Sequence, residues 1–169
     1  MMRKDKLTRN SLTKDSLRLI YYSLIFSNLI YRNIIWGKSN KTSLKCLEVS
    51  HKNIIRVIMF RSRFEHTNFD FYCLKILKLQ DINYFCSCTF VFKSLNNILY
   101  PNYYFEYAGE HHNYILRNVT NLDLAIPFVR SSQSQTSPMF YSSHDWNNLP
   151  IEIRNRFSIS SFKLNLKNI

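Results

Sequence analysis

Only two glycines, Gly37 and Gly109, and four prolines occur in 169 residues, so this chain is nearly without the residues that turn a backbone sharply. An all-β fold needs frequent tight turns, and those turns draw on glycine and proline. The composition therefore favours long regular elements, and helices above all. Hydrophobic residues make up 46% of the chain, which suits a packed core rather than a disordered tail. The length suits one domain with a core of its own and is too short for a polymerase with palm, fingers and thumb.

Residues 1–10 read as a basic, disordered start. Ser11 or Thr13 is expected to cap a first helix that runs to Trp36, with Gly37 as its stop. Its apolar residues, from Leu17, Ile20 and Tyr21 to Ile34 and Ile35, cover most of the circumference. A helix apolar nearly all round is either central in a core or short of a partner. The most apolar stretch, residues 19–31, lies between Arg18 and Arg32 and contains Ser23, Ser27 and Asn28. A membrane span needs about 18–20 apolar residues, so a buried helix is expected and no membrane contact.

A second helix is expected from an N-cap at Thr42 to about Phe60. Leu44, Leu47, His51, Ile54, Ile55 and Ile58 recur at steps of three and four, and His51 reads as a satisfied core or boundary histidine rather than a ligand. At ~100° per residue, Lys45, Lys52 and Arg56 fall within roughly 40° of one another on the opposite side. Lys41 and Arg63 extend that stripe if the helix is continuous. Residues 69–79 read as a shorter helix. Asp81 is the expected cap of the next, which ends near Leu99 because Pro101 disfavours helix in the residue before it. Beyond residue 101 aromatics, Asn and Ser dominate. Short strands are expected at 114–119 and 124–129, a loop at 131–138, a turn at 153–156, and a last helix from Ser158 or Ser160 to Leu166. The predicted fold class is mostly α, formally α+β. A helical region over 11–100 precedes a loop-rich region over 101–169, with a small β-hairpin between about 113 and 141 and a short C-terminal helix.

The net charge of +12 is unevenly spread. Residues 1–63 carry 14 Lys/Arg against 3 Asp/Glu, residues 64–153 carry 5 against 8, and residues 154–169 carry 4 against none. A basic first third and a basic end suit contact with a polyanion such as RNA or DNA. Lys41, Lys45, Lys52, Arg56, Arg63 and Arg117 are the candidate contacts.

Nothing points to catalysis by the chain itself. Two-metal nucleotidyl transfer needs converging carboxylates, and among Asp5, Asp15, Asp70, Asp81, Asp123 and Asp145 no two are adjacent. No phosphate-binding glycine loop and no G-x-S-x-G elbow occurs. His111-His112 and His144-Asp145 read as ordinary polar clusters in loops. Cys86-x-Cys88 fits no common zinc spacing, and both cysteines sit in an apolar run as core fillers. Without an apolar leader at residues 1–10, the expected setting is intracellular, nuclear or cytoplasmic, with Cys46, Cys73, Cys86 and Cys88 as free thiols. No metal, cofactor or small-molecule ligand is expected.

Several stretches in order carry a family likeness. Residues 17–37 end in Tyr31-Arg-Asn-Ile-Ile-Trp36-Gly37, and Leu44-Lys-Cys-Leu47 leads to His51-Lys52 and Ile55-Arg56-Val57-Ile58. Leu74-Lys-Ile-Leu77-Lys-Leu79, a His/Tyr-rich stretch closing with Leu116-Arg117, and Trp146-Asn147-Asn148-Leu149-Pro150 follow, before Ser161-Phe162-Lys163-Leu164. Together they resemble the C-terminal, thumb and post-thumb part of reverse transcriptases of Jockey-like non-LTR retrotransposons. The likeness spans about residues 12–169 and is anchored by the Trp-Asn-x-Leu-Pro signature. It implies that Trp36, Gly37, Trp146, Asn147, Leu149 and Pro150 are structural signature positions. It also implies a parent RNA-directed DNA polymerase whose palm, with its Mg2+ site, would lie upstream of Met1, and a fragment that supports template–primer nucleic acid without catalysing synthesis. Ser50 stands where the family has glutamine and Leu116 where it has threonine. Such departures imply a divergent or decayed copy, so a docking fragment and a non-functional remnant are the competing expectations.

Overall fold

The computed structural model describes residues 12–100, 103–110 and 122–167. The chain is mostly helical, and no strand occurs among the described residues. The expected basic start at 1–10, the strand at 114–119, and Arg117, His111 and His112 lie outside them. No described helix is long and apolar enough to cross a membrane.

The chain forms two compact units, Met1–Asn33 with Ser39–Ile82, and Ile34–Lys38 with Asn83–Ile169. The boundary expected near residue 100 instead falls between Ile82 and Asn83, inside one long helix. The reason is packing: Cys88, Val91 and Phe92 of that helix belong to the second unit's core.

In the first unit, α1 covers residues 14–30. It is α-helical over Lys14–Ile20, widens to a π-helix over Tyr21–Phe26 and returns to α over Ser27–Ile30. Thr13 is its N-cap and accepts from the Ser16 N–H at 3.3 Å. The helix expected to reach Trp36 stops short. Tyr31 is extended (ψ 119°), Arg32 is left-handed (φ 46°), and the short α2, Asn33–Trp36, follows. The buried Asn33 Nδ2 donates to the Leu29 carbonyl at 3.1 Å, satisfying an acceptor near the break. Gly37 is not a left-handed stop, because no described glycine has positive φ.

Helix α3 runs Lys41–Ile58 and is capped by Asn40, not Thr42, with the Asn40 side chain accepting from the Thr42 N–H at 3.1 Å. Helix α4 runs Asn68–Leu74 and α5 runs Leu79–Leu95. The helix expected over 69–79 is thus two elements, divided at Lys75. Asp81 lies in the first turn of α5 rather than ahead of it. Three of these helices stop in the same way. Phe60, Lys75 and Asn97 take φ of 56°, 53° and 54°, and the next N–H reaches back to the carbonyls of Arg56, Phe71 and Lys93 at 2.8, 3.0 and 2.8 Å. This is the Schellman arrangement, usually built on glycine. Here none of the three positions is glycine, and each left-handed residue costs about 1–2 kcal/mol of backbone strain. The left-handed Asn97 closes α5, whose last helical residue is Leu95, and this corrects the end expected near Leu99.

The first unit's core gathers Tyr21, Ile55, Ile58, Phe71, Leu74 and Ile76. The expected apolar face of α3 is present, with His51, Ile55 and Ile58 buried and Leu44, Leu47 and Ile54 half-buried. His51 is the satisfied core histidine expected: its Nε2 lies 2.8 Å from the Tyr21 hydroxyl, and its ring stacks on Tyr21 and meets Phe71 edge-on. Along α1 only Tyr21 and Leu29 are buried, so the nearly all-round apolar surface of that helix is covered on one side alone.

In the second unit the C-terminal part of α5 meets α6 (Pro138–Asn147), the single turn α7 (Ile151–Arg154) and α8 (Ile159–Leu166). Phe162 stacks between Phe92 (4.4 Å between centroids) and Trp146 (5.9 Å). Ser137 caps α6, with Pro138 in its first turn, so His144 and Asp145 lie on a helix and not in the expected loop. The strand expected at 124–129 is a single antiparallel bridge between Leu124 and Tyr107, closed by Ala108 N–H to Asp123 O and Ala125 N–H to Glu106 O, both 2.8 Å. It does not lengthen because Pro127 has no N–H. The Leu124 backbone is also already engaged on its other side by Asn147.

Candidate nucleic-acid interface

Lys41, Lys45, Lys52 and Arg56 all lie on α3, as the spacing predicts, but their surroundings divide them. Lys41 and Lys45 are exposed, one turn apart in the first turns of the helix, with no partner among the described residues. Lys52 is half-buried and held by Glu48 at 2.6 Å, one turn earlier on the same helix. Arg56 is half-buried too, donating to Asn53 Oδ1 at 2.8 Å and to the Glu65 carbonyl at 3.0 Å. Arg63 is exposed but off the helix, which ends at Ile58, so it does not extend the stripe. The three-residue row Lys45, Lys52, Arg56 is therefore not presented together, and Lys41 and Lys45 are the free part of it. Sequence spacing does not show this in full, because Glu48 and Asn53 share the helix but the Glu65 carbonyl that holds Arg56 comes from the loop after it.

That loop is tied down by Arg61, which reaches Asp70 Oδ1 and Glu65 Oε2, each at 3.3 Å. Asp70 is buried and Arg61 half-exposed, and the hydrogen bond to Asp70 pushes the Arg61 pKa up. Glu65 of the loop and Asp70 of α4 are thus each paired with Arg61, with Asp70 Oδ2 left buried without a hydrogen bond, while the cations Arg63 and Lys75 have no side-chain partner among the described residues.

The signature residues have structural places. Trp146 and Leu149 are buried in the second unit's core. Asn147 donates through Nδ2 to the Leu124 carbonyl at 2.9 Å and accepts through Oδ1 from the Leu124 N–H at 2.8 Å. Its amide thus substitutes for a neighbouring strand at an open edge. Pro150 starts α7, and Arg154 of that turn donates to Asp123 Oδ1 at 2.5 Å, to the Leu149 carbonyl at 2.8 Å and to the Asn147 carbonyl at 3.2 Å. The Asp123–Arg154 pair had no local sequence signal, since 31 positions separate its members. Gly37 is buried and its carbonyl accepts from Asn83 Nδ2 at 2.8 Å, while Trp36 ends α2 half-buried.

Cys88 is buried and Cys86 half-buried on α5, and burial pushes both thiols up, Cys86 to about 11. No group of three or more metal-ligating side chains occurs among the described residues. Both cores close, yet the hydroxyls of Ser87, Thr89 and Ser142 and the indole N–H of Trp146 are buried without a hydrogen-bond partner among the described residues. Asp145 Oδ2 faces Lys38 Nζ at 3.7 Å, an ion pair without a hydrogen bond. No family model, curated protein or solved structure matches the chain.

Proposed function

We propose that the chain is a non-catalytic accessory segment of a Jockey-like non-LTR retrotransposon reverse transcriptase, supporting the template–primer duplex of the parent polymerase. The ordered motifs support the family. The observation that carries the contact is the pair Lys41 and Lys45, exposed and unneutralised at the positive end of an 18-residue helix, in a unit that holds +9 of the chain's +12. Such a pair positions phosphates and reads no base.

The test is binding to an RNA–DNA duplex across a salt series. Each phosphate contact contributes roughly 0.7–0.9 to the slope of log affinity on log salt. Lys41→Ala/Lys45→Ala lowers that slope by about 1.4–1.8, whereas Lys52→Ala/Arg56→Ala lowers it less because those cations are already engaged. Duplex binding absent from folded wild type, or lost equally in both variants, refutes the contact.

A second reading, docking onto the polymerase palm that the resemblance implies, is favoured by α1. Leu19 (71% exposed) and Leu24 (62%) face outward with Ile20 and Ile30. The polar residues among them are turned inward on their own helix. Ser23 donates to Ile20 O at 3.2 Å, Ser27 to Ser23 O at 2.7 Å and Asn28 to Leu24 O at 2.6 Å. Each of these three side chains therefore keeps a hydrogen bond when the face is covered. Docking requires that Leu19→Glu/Leu24→Glu abolish co-purification with a separately supplied palm while the salt slope for duplex is kept. Unchanged co-purification refutes it.

A further inference from the structure

In the segment 60–79 the side chains sort by kind. Its aliphatic residues are inside, with Leu74, Ile76 and Leu79 buried and Leu77 half-buried. The large apolar side chains left in solvent are all rings: Phe64 at 90% exposure, Tyr72 at 82%, Phe69 at 69%, and Phe60 at the margin. Phe69 and Tyr72 stand one turn apart on the outer side of α4, opposite Asp70, Phe71 and Leu74. Phe64 sits at the tip of the loop that Arg61 pins to α4 through Asp70. None of the three rings has an aromatic partner among the described residues, so their faces are open.

The cations Arg63 and Lys75 flank the rings in sequence and are exposed, as is the imidazole of His66 between Phe64 and Phe69, while Glu65 and Asp70 are matched by Arg61. Exposed rings flanked by unmatched cations, without exposed aliphatic side chains, suit a ligand that offers flat π-faces and negative charge together. A generic apolar protein surface would be met by aliphatic side chains as well, as on the outer face of α1. A duplex hides its base faces, so it cannot use these rings.

We propose that Phe64, Phe69 and Tyr72, set among Arg63, His66 and Lys75, form a stacking platform for the unpaired bases of single-stranded RNA or DNA. The platform shares with the duplex reading only the premise of a polyanionic partner, and it uses different residues. The rings take successive bases and the cations hold the connecting phosphates.

The full chain is titrated with a fluorescent oligouridine of about 12 nucleotides. The same titration uses an RNA–DNA duplex. Loss of stacking on one ring weakens binding about 5- to 150-fold. Phe69→Leu/Tyr72→Leu, which keeps apolar bulk and removes the π-face, is expected to weaken oligouridine binding roughly 30-fold or more and to leave duplex binding unchanged. Phe69→Trp/Tyr72→Trp restores binding to about the wild-type level. All these positions are exposed, so matching circular dichroism spectra establish that each variant is folded. Retained oligouridine affinity in the leucine variant, or no oligouridine binding by folded wild type, overturns the proposal. Because Lys41→Ala/Lys45→Ala acts on the duplex arm and the ring variants on the single-strand arm, either reading can fail alone.

Discussion

Protonation of His51 is expected to loosen the first unit as pH falls. The imidazole is 2% exposed, stacked on Tyr21 and edge-on to Phe71, and no charged group pairs with it among the described residues. Burial lowers its pKa from 6.5 to about 4. Between those values the unfolded chain binds a proton that the folded unit refuses, so stability is intact above about pH 6.5 and declines as pH falls toward 4. Linkage over that interval amounts to about 2 kcal/mol at pH 5 and about 3 kcal/mol below both pKa values, as orders of magnitude. His51→Gln removes the titration and keeps an amide that can meet the Tyr21 hydroxyl. Amide exchange along α3 reads the opening of this unit separately from the other. Wild type should lose about 2 kcal/mol of protection between about pH 7.5 and pH 5 relative to His51→Gln. Parallel pH profiles for the two proteins would refute the argument that burial holds this histidine neutral.

Asn147→Ala strips both hydrogen bonds from the buried Leu124 backbone and is expected to destabilise the second unit by about 2–4 kcal/mol, measured by urea unfolding followed through Trp146 fluorescence. Arg154→Lys keeps the charge opposite Asp123 but loses the fork that also reaches the Leu149 and Asn147 carbonyls, costing about 1–3 kcal/mol in the same assay. Phe162→Ala empties the space between Phe92 and Trp146 and should cost about 3–5 kcal/mol, with the Trp146 emission shifted to the red in the folded state. Lys75→Gly relieves a left-handed lysine at the end of α4 and is expected to stabilise the first unit by about 0.5–1 kcal/mol in thermal unfolding.

The helical character was legible because it follows from local rules. Periodicity located α3 and its buried His51, Ile55 and Ile58, and the Ser-Pro pair marks the start of α6 once Ser137 is seen as a cap. Stops were the weak point. With glycine almost absent, Lys75 and Asn97 take left-handed conformations that nothing in their side chains advertises, so the ends of α4 and α5 differ from those expected, while α3 stops at Ile58, close to the expected Phe60. The interface was legible as a helical face and illegible as a set of free charges. Lys52 shared its face with Glu48, one turn away, and Arg56 found its partner in the Glu65 carbonyl, nine residues on in the loop. The Asn147 amide at the Leu124 edge depends on a fold-level meeting of two segments, which spacing does not encode.

The first unit leaves two chemically different surfaces in solvent, and their difference bears on function. The outer side of α1 is aliphatic, with its serines and asparagine bonded to their own helix. The outer side of α4 and its preceding loop is aromatic and cationic, with its acids bonded to Arg61. Random exposure of apolar residues would mix the two kinds, since burial acts on area and not on ring character. Their separation suits two partners of unlike chemistry, an apolar protein surface for α1 and a π-faced polyanion for α4.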